Sequence, residues 1–343
     1  MVVHLRGVLP RTVSVLAPGW LLAFVACGAT SDPDESAPTR ADTGSASAGT
    51  GVSSRDAGDP LADTVGQNGG HVAKLTFVVV GDTRPASIDD TSAYPSAVVT
   101  KIFEDVQSLR PAPLFGVSTG DYMFASTGGG QAAPQLDLYA QARKRFAGIM
   151  FPAMGNHECT GYTTSNCGAG NADGITDNYA QYLKKLVEPL GRSTPYYVVR
   201  VDDIQRTWTA KFIFVAANAW DGTQAAWLKT SLAQPTTYTF VVRHEPASVV
   251  RAPGVSEAEQ LMAQYPYTLS IVGHSHTYAR SGAREVIVGN GGAPLTSART
   301  NYGFALVQQR PDRAVEIDMI DYASLRADPA FRFALRPDGA PAP

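Results

Sequence analysis

The chain is poor in several residue types that mark common protein classes. Only 17% of its 343 residues are charged, and it contains three cysteines and six histidines. No aromatic residue occurs between Phe24 and Phe77. A segment with so little apolar surface cannot offset the entropy that is lost on ordering. We therefore predict that residues 28–72, which are rich in Ser, Thr, Ala, Gly and Asp, form a disordered tether.

The part of the chain that follows the tether lacks a net charge. The whole sequence carries −3, of which the first 27 residues contribute +2 through Arg6 and Arg11, and the tether contributes −5. The remaining residues are therefore neutral. Because proteins that bind nucleic acids usually present a basic surface, we expect no nucleic-acid partner.

The N-terminal apolar run is too short for a comfortable transmembrane helix. It covers residues 13–26 and is interrupted by Pro18. Basic residues precede it and small residues flank Cys27, which is typical of a secretory signal. We predict a signal peptide over residues 1–27 and an exported protein. The alternative is a soluble N-terminus with a buried apolar segment.

The end of this signal resembles the cleavage site of bacterial lipoproteins. The segment reads Phe24-Val25-Ala26-Cys27, and Cys27 would be the lipidated first residue of the mature chain. Phe24 departs from the leucine that is usual at its position. The resemblance implies contact with a membrane through a lipid anchor, in the cell envelope. An ordinary cleaved signal peptide, with a periplasmic or secreted product, is the alternative.

Two further cysteines lie close together in the chain. Cys159 and Cys167 flank a loop rich in Gly, Thr and Ser. In an exported protein such a pair is a candidate disulfide. Free thiols and metal ligation are the alternatives.

Strand-like and helix-like patterns alternate along the remaining sequence. Runs rich in β-branched residues, such as Lys74–Val80 and Pro113–Thr119, are separated by stretches with apolar residues at helical spacing. This alternation predicts an α/β fold with two mixed β-sheets packed as a sandwich and flanked by helices. We place this domain at residues 73–335, and we expect residues 336–343 to form a loose tail.

Polar residues that can bind metals follow the predicted strands directly. The carboxyl ends of neighbouring strands are where α/β folds gather ligands, so we expect these residues to converge. Carboxylate and amide oxygens together with imidazole nitrogens suit Mn, Fe or Zn, and not calcium. Taken singly, each motif is also typical of an ordinary turn. The candidate ligands are Asp82, Asp121, Asn156, His244, His274 and His276.

The order of these motifs resembles that of the calcineurin-like metallophosphoesterase superfamily, which also includes the purple acid phosphatases. The family pattern is D-x-H, G-D, G-N-H-D/E, H and G-H-x-H. The corresponding segments are Gly81-Asp82-Thr83-Arg84, Gly120-Asp121, Gly155-Asn156-His157-Glu158, His244 and Gly273-His274-Ser275-His276. The resemblance covers residues 74–310.

The resemblance implies a pair of divalent transition-metal ions and a role for each ligand. Asp82, Asp121 and His276 would hold the first ion. Asp121 would bridge to a second ion, which Asn156, His244 and His274 would complete. A metal-bound hydroxide would then attack the phosphorus of a small phosphate ester in line.

The residue after Asn156 has a different implied role. His157 would contact the phosphate and protonate the leaving oxygen, and Glu158 would orient His157. As a general acid, His157 would contribute roughly 10²–10⁴-fold to the rate.

One position departs from the family pattern. Arg84 stands where the first motif ends in His, and arginine stays protonated and does not bind metals. Purple acid phosphatases use a tyrosine from the second motif, but Phe124 occupies that position here, and Tyr122 lies at the wrong offset. We consider two roles for Arg84: a clamp on the substrate phosphate, and an ion pair with a neighbouring acid that holds the loop.

These features favour an exported metal-dependent phosphoester hydrolase, active on monoesters or diesters. The Arg84 substitution leaves open a non-catalytic surface lipoprotein on a phosphoesterase scaffold. A nuclease is a third possibility, against which the neutral domain argues.

Overall fold

The computed structural model describes residues 62–343. The predicted signal peptide (residues 1–27), the predicted lipidation site Cys27 and residues 28–61 of the predicted tether lie outside the described residues.

The described residues form strands and helices that alternate along the chain. The strands are β1 (Thr64–Gly66), β2 (Gly69–Val72), β3 (Thr76–Val80), β4 (Phe115–Ser118), β5 (Ile149–Pro152), β6 (Tyr197–Asp203), β7 (Thr209–Phe214), β8 (Tyr238–Val242), β9 (Leu269–Val272), β10 (Tyr278–Arg280), β11 (Glu285–Val288), β12 (Gly303–Gln309), β13 (Val315–Asp321) and β14 (Phe333–Leu335). The α-helices are α1 (Ser96–Ser108), α2 (Ala132–Arg143), α3 (Asp177–Tyr182), α4 (Gly222–Ala233) and α5 (Val255–Met262). Short 3-10 helices cover Asn156–Glu158, Glu188–Leu190 and Ala217–Ala219, and a π-helical segment covers Leu183–Val187.

The strands form two mixed sheets, as predicted. One has eight strands in the order β1-β2-β6-β7-β8-β9-β11-β10, and the other has six in the order β14-β13-β12-β3-β4-β5. Strands β3, β4 and β5 are parallel neighbours, and so are β7, β8 and β9. Their carboxyl ends therefore lie side by side within each sheet.

Apolar side chains on alternate strand positions fill three layers. Phe77 on β3 packs against Phe212 on β7 and Phe240 on β8, so one core lies between the two sheets. Val78, one residue along β3, faces the opposite way and joins a second core with α1 and α2. Ile213 on β7 joins a third core with α4 and α5. This period of two, with a different core on each face, makes the sandwich flanked by helices that the sequence predicts.

Both predicted ends of the domain need correction. Residues 64–72 are not a disordered tether, because they form β1 and β2, and β2 pairs in parallel with β6. Backbone hydrogen bonds to β6 hold β2 in the sheet. The segment is therefore ordered although it contains few apolar residues. The tail also folds back, since the Ala342 amide donates to the Ala334 carbonyl and the Arg336 amide donates to the Ala340 carbonyl.

None of the helices described for residues 62–343 has the length and apolar character needed to cross a bilayer.

Candidate metal centre

The predicted ligands lie in loops that leave the carboxyl ends of five strands. Asp82 follows β3, Asp121 follows β4, and Asn156 opens the 3-10 helix after β5. His244 follows β8, and the loop after β9 carries the last two histidines. The two sheets are joined here, because the His274 amide donates to Asp82 Oδ2 over 3.0 Å.

Four of these ligands have a backbone conformation that is rare outside glycine. The φ angles are 57° for Asp82, 58° for Asp121, 70° for His274 and 46° for His276. The left-handed region costs an L-residue about 1–2 kcal/mol. Such strain persists only where the surrounding structure imposes it, and it concentrates at functional sites.

Three donor atoms meet on one side of the site. His274 Nδ1 lies 3.1 Å from Asn156 Oδ1 and 3.2 Å from His244 Nε2. In His244 and Asn156, the nitrogen that points away from His274 donates a hydrogen bond to a backbone carbonyl. His244 Nδ1 donates to the Thr119 carbonyl over 2.8 Å, and Asn156 Nδ2 donates to the Gly161 carbonyl over 2.7 Å. These hydrogen bonds therefore turn His244 Nε2 and Asn156 Oδ1 toward His274 Nδ1.

A second group lies on the other side of Asp121. Asp82, Asp121 and His276 each offer a ligand atom, and these atoms lie within 4.8 Å of one another. His276 Nδ1 donates to the Pro294 carbonyl over 2.9 Å, which leaves Nε2 facing Asp82 Oδ1 at 3.6 Å. That carboxylate oxygen is buried and has no hydrogen-bond partner among the described residues.

Asp121 connects the two groups. Its Oδ1 lies 3.3 Å from His244 Nε2, and its carboxylate also belongs to the group with Asp82. Glycines let the backbone come this close, because a Cβ at Gly155 would overlap with Asp121 Oδ1 and a Cβ at Gly273 would overlap with Asp82 Oδ2.

Burial and mutual charge set the protonation of the site. Burial raises the pKa of Asp82 well above its ordinary value. Burial also acts to raise the pKa of Asp121, but His244 and His157 outweigh it and hold that pKa well below its ordinary value. For His244 burial acts to lower the pKa, and the Asp121 carboxylate outweighs it and raises the pKa well above its ordinary value. Burial lowers the pKa of His274 to about 4. Without metal, the centre therefore contains a charged pair of Asp121 and His244.

His157 lies next to the ligands, as predicted. Its backbone amide donates to Asp121 Oδ1 over 3.1 Å, and its Nε2 lies 3.8 Å from Asp121 Oδ2. The ring packs edge-on against Phe124 with centroids 4.5 Å apart. Burial lowers the pKa of His157 to about 3, so the imidazole is neutral at neutral pH.

Arg84 occupies the space between the Asp121 carboxylate and the Phe124 ring. Its Nε lies 3.6 Å from Asp121 Oδ2, and its guanidinium carbon lies 4.6 Å from the centre of the ring. Nη1 donates to the Pro85 carbonyl over 3.0 Å. The neighbouring acid is therefore present, and it is the predicted bridging ligand itself.

Glu158 does not orient His157, in contrast to the expectation. Its carboxylate instead accepts from the backbone amides of Asp121, Tyr122 and Gly155 over 2.8–2.9 Å. Burial and the nearby Asp121 carboxylate raise the pKa of Glu158 to about 7, against the effect of these donors. The side chain ties the loop after β4 to the loop after β5.

Cys159 and Cys167 form the expected disulfide. Within the loop that they close, Tyr162 is 75% exposed. The Asn166 side chain accepts from the Trp220 amide over 2.7 Å and donates to the Trp220 carbonyl over 3.0 Å, so it holds the loop against the segment that contains Trp220.

Glu245 is the site residue that the motifs did not reveal. Its carboxylate is fully buried and shares a potential metal group with His244 and His274. Burial raises its pKa. The sequence offered a signal in the carboxylate directly after a ligand histidine, but the position belongs to none of the motifs.

The donor set fits divalent metal ions. Nitrogen and oxygen atoms of His244, His274 and Asn156 converge on the His274 side, and a buried carboxylate oxygen lacks a hydrogen-bond partner on the Asp82 side. An unpaired buried charge is costly, whereas a metal ion would satisfy it.

The contacts of Glu158 generate a prediction about stability. In Glu158→Gln the amide group must face at least one backbone N–H, so we expect the free energy of unfolding to fall by about 1–3 kcal/mol. Urea denaturation of the metal-free chain measures the change. Glu188→Gln, at an exposed position, is the control and should match the wild type. Equal stability of the two variants would show that Glu158 does not hold the loops.

Comparisons with known proteins agree with the motifs and the architecture. The family model for the calcineurin-like phosphoesterase matches residues 75–278, which is more than half of the chain. A comparison with curated proteins finds no match.

Two solved structures share the fold. GAP50, the anchor in the inner membrane complex of Plasmodium, matches 77% of this chain and 89% of its own, with a TM-score of 0.51 and 13% identity. A purple acid phosphatase, PPD1 from yellow lupin (Lupinus luteus) seeds, matches 77% of this chain and 54% of its own, with a TM-score of 0.51 and 16% identity. The motif pattern, the two mixed sheets and the family match agree, and the chain belongs to the calcineurin-like phosphoesterase family.

Proposed function

We propose that the protein is a metal-dependent hydrolase of phosphate esters. The observation that carries this proposal is the convergence of His244 Nε2, His274 Nδ1 and Asn156 Oδ1 within 3.1–3.2 Å contacts beside the Asp121 carboxylate. Imidazole nitrogens together with amide and carboxylate oxygens are the ligand types that divalent transition metals prefer, so their convergence favours a metal centre.

The chain's own residues would hold two ions. Asp82, Asp121 and His276 form one group. On the other side of Asp121, His244, His274 and Asn156 form the second. When bound, such ions make water available as a nucleophile at neutral pH and neutralise the charge on a phosphate.

His157 would bind the phosphate as a neutral hydrogen-bond donor, and not as the general acid that the resemblance implies. Because burial holds its pKa at about 3, the imidazole presents an N–H without a full positive charge. The Phe124 ring fixes its orientation from one side. A fixed donor that is aimed at developing charge typically contributes 10²–10³-fold to kcat.

Arg84 would clamp the phosphate, and its ion pair with Asp121 is compatible with that role. The side chain of Arg84 is 13% exposed, whereas that of Asp121 is 2% exposed. The guanidinium is therefore more accessible from solvent than the carboxylate. Asp121, the Pro85 carbonyl and the Phe124 ring would hold the guanidinium in place for two charge-assisted hydrogen bonds.

A non-catalytic scaffold is the second candidate function. The observation that favours it is the Arg84 guanidinium, which pairs with the predicted bridging carboxylate. GAP50, whose fold is similar, is described as an anchor. The six predicted ligands and His157 nevertheless lie together, and this favours the hydrolase.

We also propose that the protein is exported and attached to a membrane through Cys27. The disulfide of Cys159 and Cys167 supports export, because disulfides persist in oxidising compartments. A small phosphate ester outside the cytoplasm would then be the substrate.

The hydrolase proposal predicts turnover that depends on metal and on His157. The full chain loaded with Mn²⁺, Fe²⁺ or Zn²⁺ should hydrolyse an aryl phosphate or a bis-aryl phosphate, and a chelator should abolish the reaction. His157→Ala should lower kcat by about 10²–10³-fold. His71→Ala, at an exposed histidine on β2, is the matched control and should leave kcat unchanged. A metal-loaded chain that hydrolyses neither ester would favour the scaffold.

The clamp predicts a rise in KM when the guanidinium is removed. Arg84→Lys keeps the charge but loses the fork geometry, and Arg84→Met loses both. We expect KM to rise by about 10–100-fold in Arg84→Met and by less in Arg84→Lys. Arg145→Met, which removes a mostly exposed guanidinium, is the control. A lower melting temperature with an unchanged KM would mean that Arg84 only holds its loop.

The proposed anchor predicts a defined N-terminus. Mass spectrometry of the mature protein should find Cys27 as the first residue with a lipid attached. Cys27→Ser should move the protein from the membrane fraction to the soluble fraction. A mature N-terminus without lipid would contradict the anchor, and export would be the only part of this proposal that remains.

A further inference from the structure

Glu245 carries a buried carboxylate to which no other residue of the described chain donates a hydrogen bond. The residue follows His244 directly and is 0% exposed. Neither Oε1 nor Oε2 accepts a hydrogen bond from another residue among residues 62–343, and the nearby donor is the backbone N–H of Glu245 itself. Burying an ionised carboxylate without a partner is costly, so such a group is usually paired, protonated or bound to a metal.

Arg243, the cationic residue closest to Glu245 in the sequence, forms its ion pairs with other acids. Arg243 Nε donates to the backbone carbonyl of Glu245 over 2.7 Å, and not to its carboxylate. Nη2 donates to Glu259 Oε1 over 2.8 Å and lies 3.7 Å from Glu285 Oε2. Arg243 therefore pairs with two other acids, and its Nη1 has no hydrogen-bond partner in residues 62–343. Among the described residues it forms no ion pair with the Glu245 carboxylate.

The position of this carboxylate points to the metal centre. One of its oxygens and one ring nitrogen each of His244 and His274 lie within 4.8 Å of one another. His274 Nδ1 and His244 Nε2 are the atoms that approach Asn156 and Asp121. Glu245 thus borders the second of the two ligand groups.

The charges on the two sides of the centre are unequal. The His274 side would have the carboxylates of Glu245 and Asp121. The Asp82 side would have the same number of carboxylates, those of Asp82 and Asp121. On that side, however, Arg84 Nε also lies 3.6 Å from Asp121 Oδ2. A permanent positive charge beside one ion site weakens that site, because like charges repel strongly in a poorly screened interior.

We propose that the Glu245 carboxylate is a further metal ligand on the His244–His274 side, so that this site fills first and the site beside Arg84 fills second. The inference rests on the metal centre of the proposed hydrolase, but it does not require that the centre be catalytic. No motif of the chain assigns Glu245 a role.

Metal titration of the full chain tests the order of filling. After removal of metal by a chelator, calorimetry with Co²⁺ should resolve two binding steps whose affinities differ by about 100-fold or more. Arg84→Met should strengthen the weaker step and leave the tighter step within about threefold. Two steps of equal affinity in the wild type would overturn the proposal, whatever the enzymatic activity.

Substitution of the carboxylate tests whether Glu245 is a ligand. Glu245→Gln should weaken the tighter step by roughly 100-fold or more, whereas groups that act through a ligand typically change affinity by roughly 10–100-fold. The visible absorption of the first bound Co²⁺ should also change, because its ligand set has changed. Glu245→Asp keeps the charge and should restore part of the affinity.

Glu259→Gln is the matched control. It makes the same chemical change on the other side of Arg243, at a side chain that is 31% exposed. Its affinities and its Co²⁺ spectrum should equal those of the wild type. A Glu245→Gln variant with an unchanged Co²⁺ spectrum would overturn the proposal even if its affinity fell, because the carboxylate would then act only through a histidine ring. If neither Glu245 variant folds, the two-step titration of the wild type decides.

Discussion

The buried charge of Asp121 is the constraint around which the site is arranged. Its carboxylate is 2% exposed, and it meets His244 Nε2 at 3.3 Å, the His157 amide at 3.1 Å and Arg84 Nε at 3.6 Å. Removing one partner from a buried charge is strongly destabilising. The loops after β4, β5, β8 and β3 must therefore all approach this one group, and their approach brings the other donors together.

The loops that approach Asp121 have a strained backbone. Four candidate ligands have positive φ angles, although glycine is the residue that adopts them without steric cost. At about 1–2 kcal/mol for each residue, this strain is a sizeable part of the stability of a typical domain. The packed sandwich below the loops is what can sustain it, because its three cores fix the strand ends from which the loops leave.

Much of the fold and most of the site could be predicted from the sequence, for a physical reason. Strands such as Thr76–Val80 are continuous apolar runs because both of their faces are buried, and each ends abruptly at a polar loop. That boundary marks where ligands such as Asp82 emerge. The β1–β2 hairpin could not be predicted in this way, because backbone pairing with β6 holds it and requires little apolar surface. The contacts of Glu158 were predicted wrongly because the amides of Asp121 and Tyr122 that it binds belong to a loop far earlier in the sequence. Glu245 was missed because its place in the site depends on the approach of the loop that carries His274.

The disulfide has a consequence for the group of candidate ligands around His274. The carbonyl that turns the Asn156 amide toward the centre belongs to Gly161, which lies inside the ring closed by Cys159 and Cys167. Asn218 holds the same ring through the carbonyls of Thr163 and Ser165. A ligand is thus aimed by a covalent ring that forms only where thiols are oxidised. With reduced cysteines the chain would keep all of its candidate ligands, but the Gly161 carbonyl would no longer be held by the ring, so disulfide formation should precede tight binding of metal.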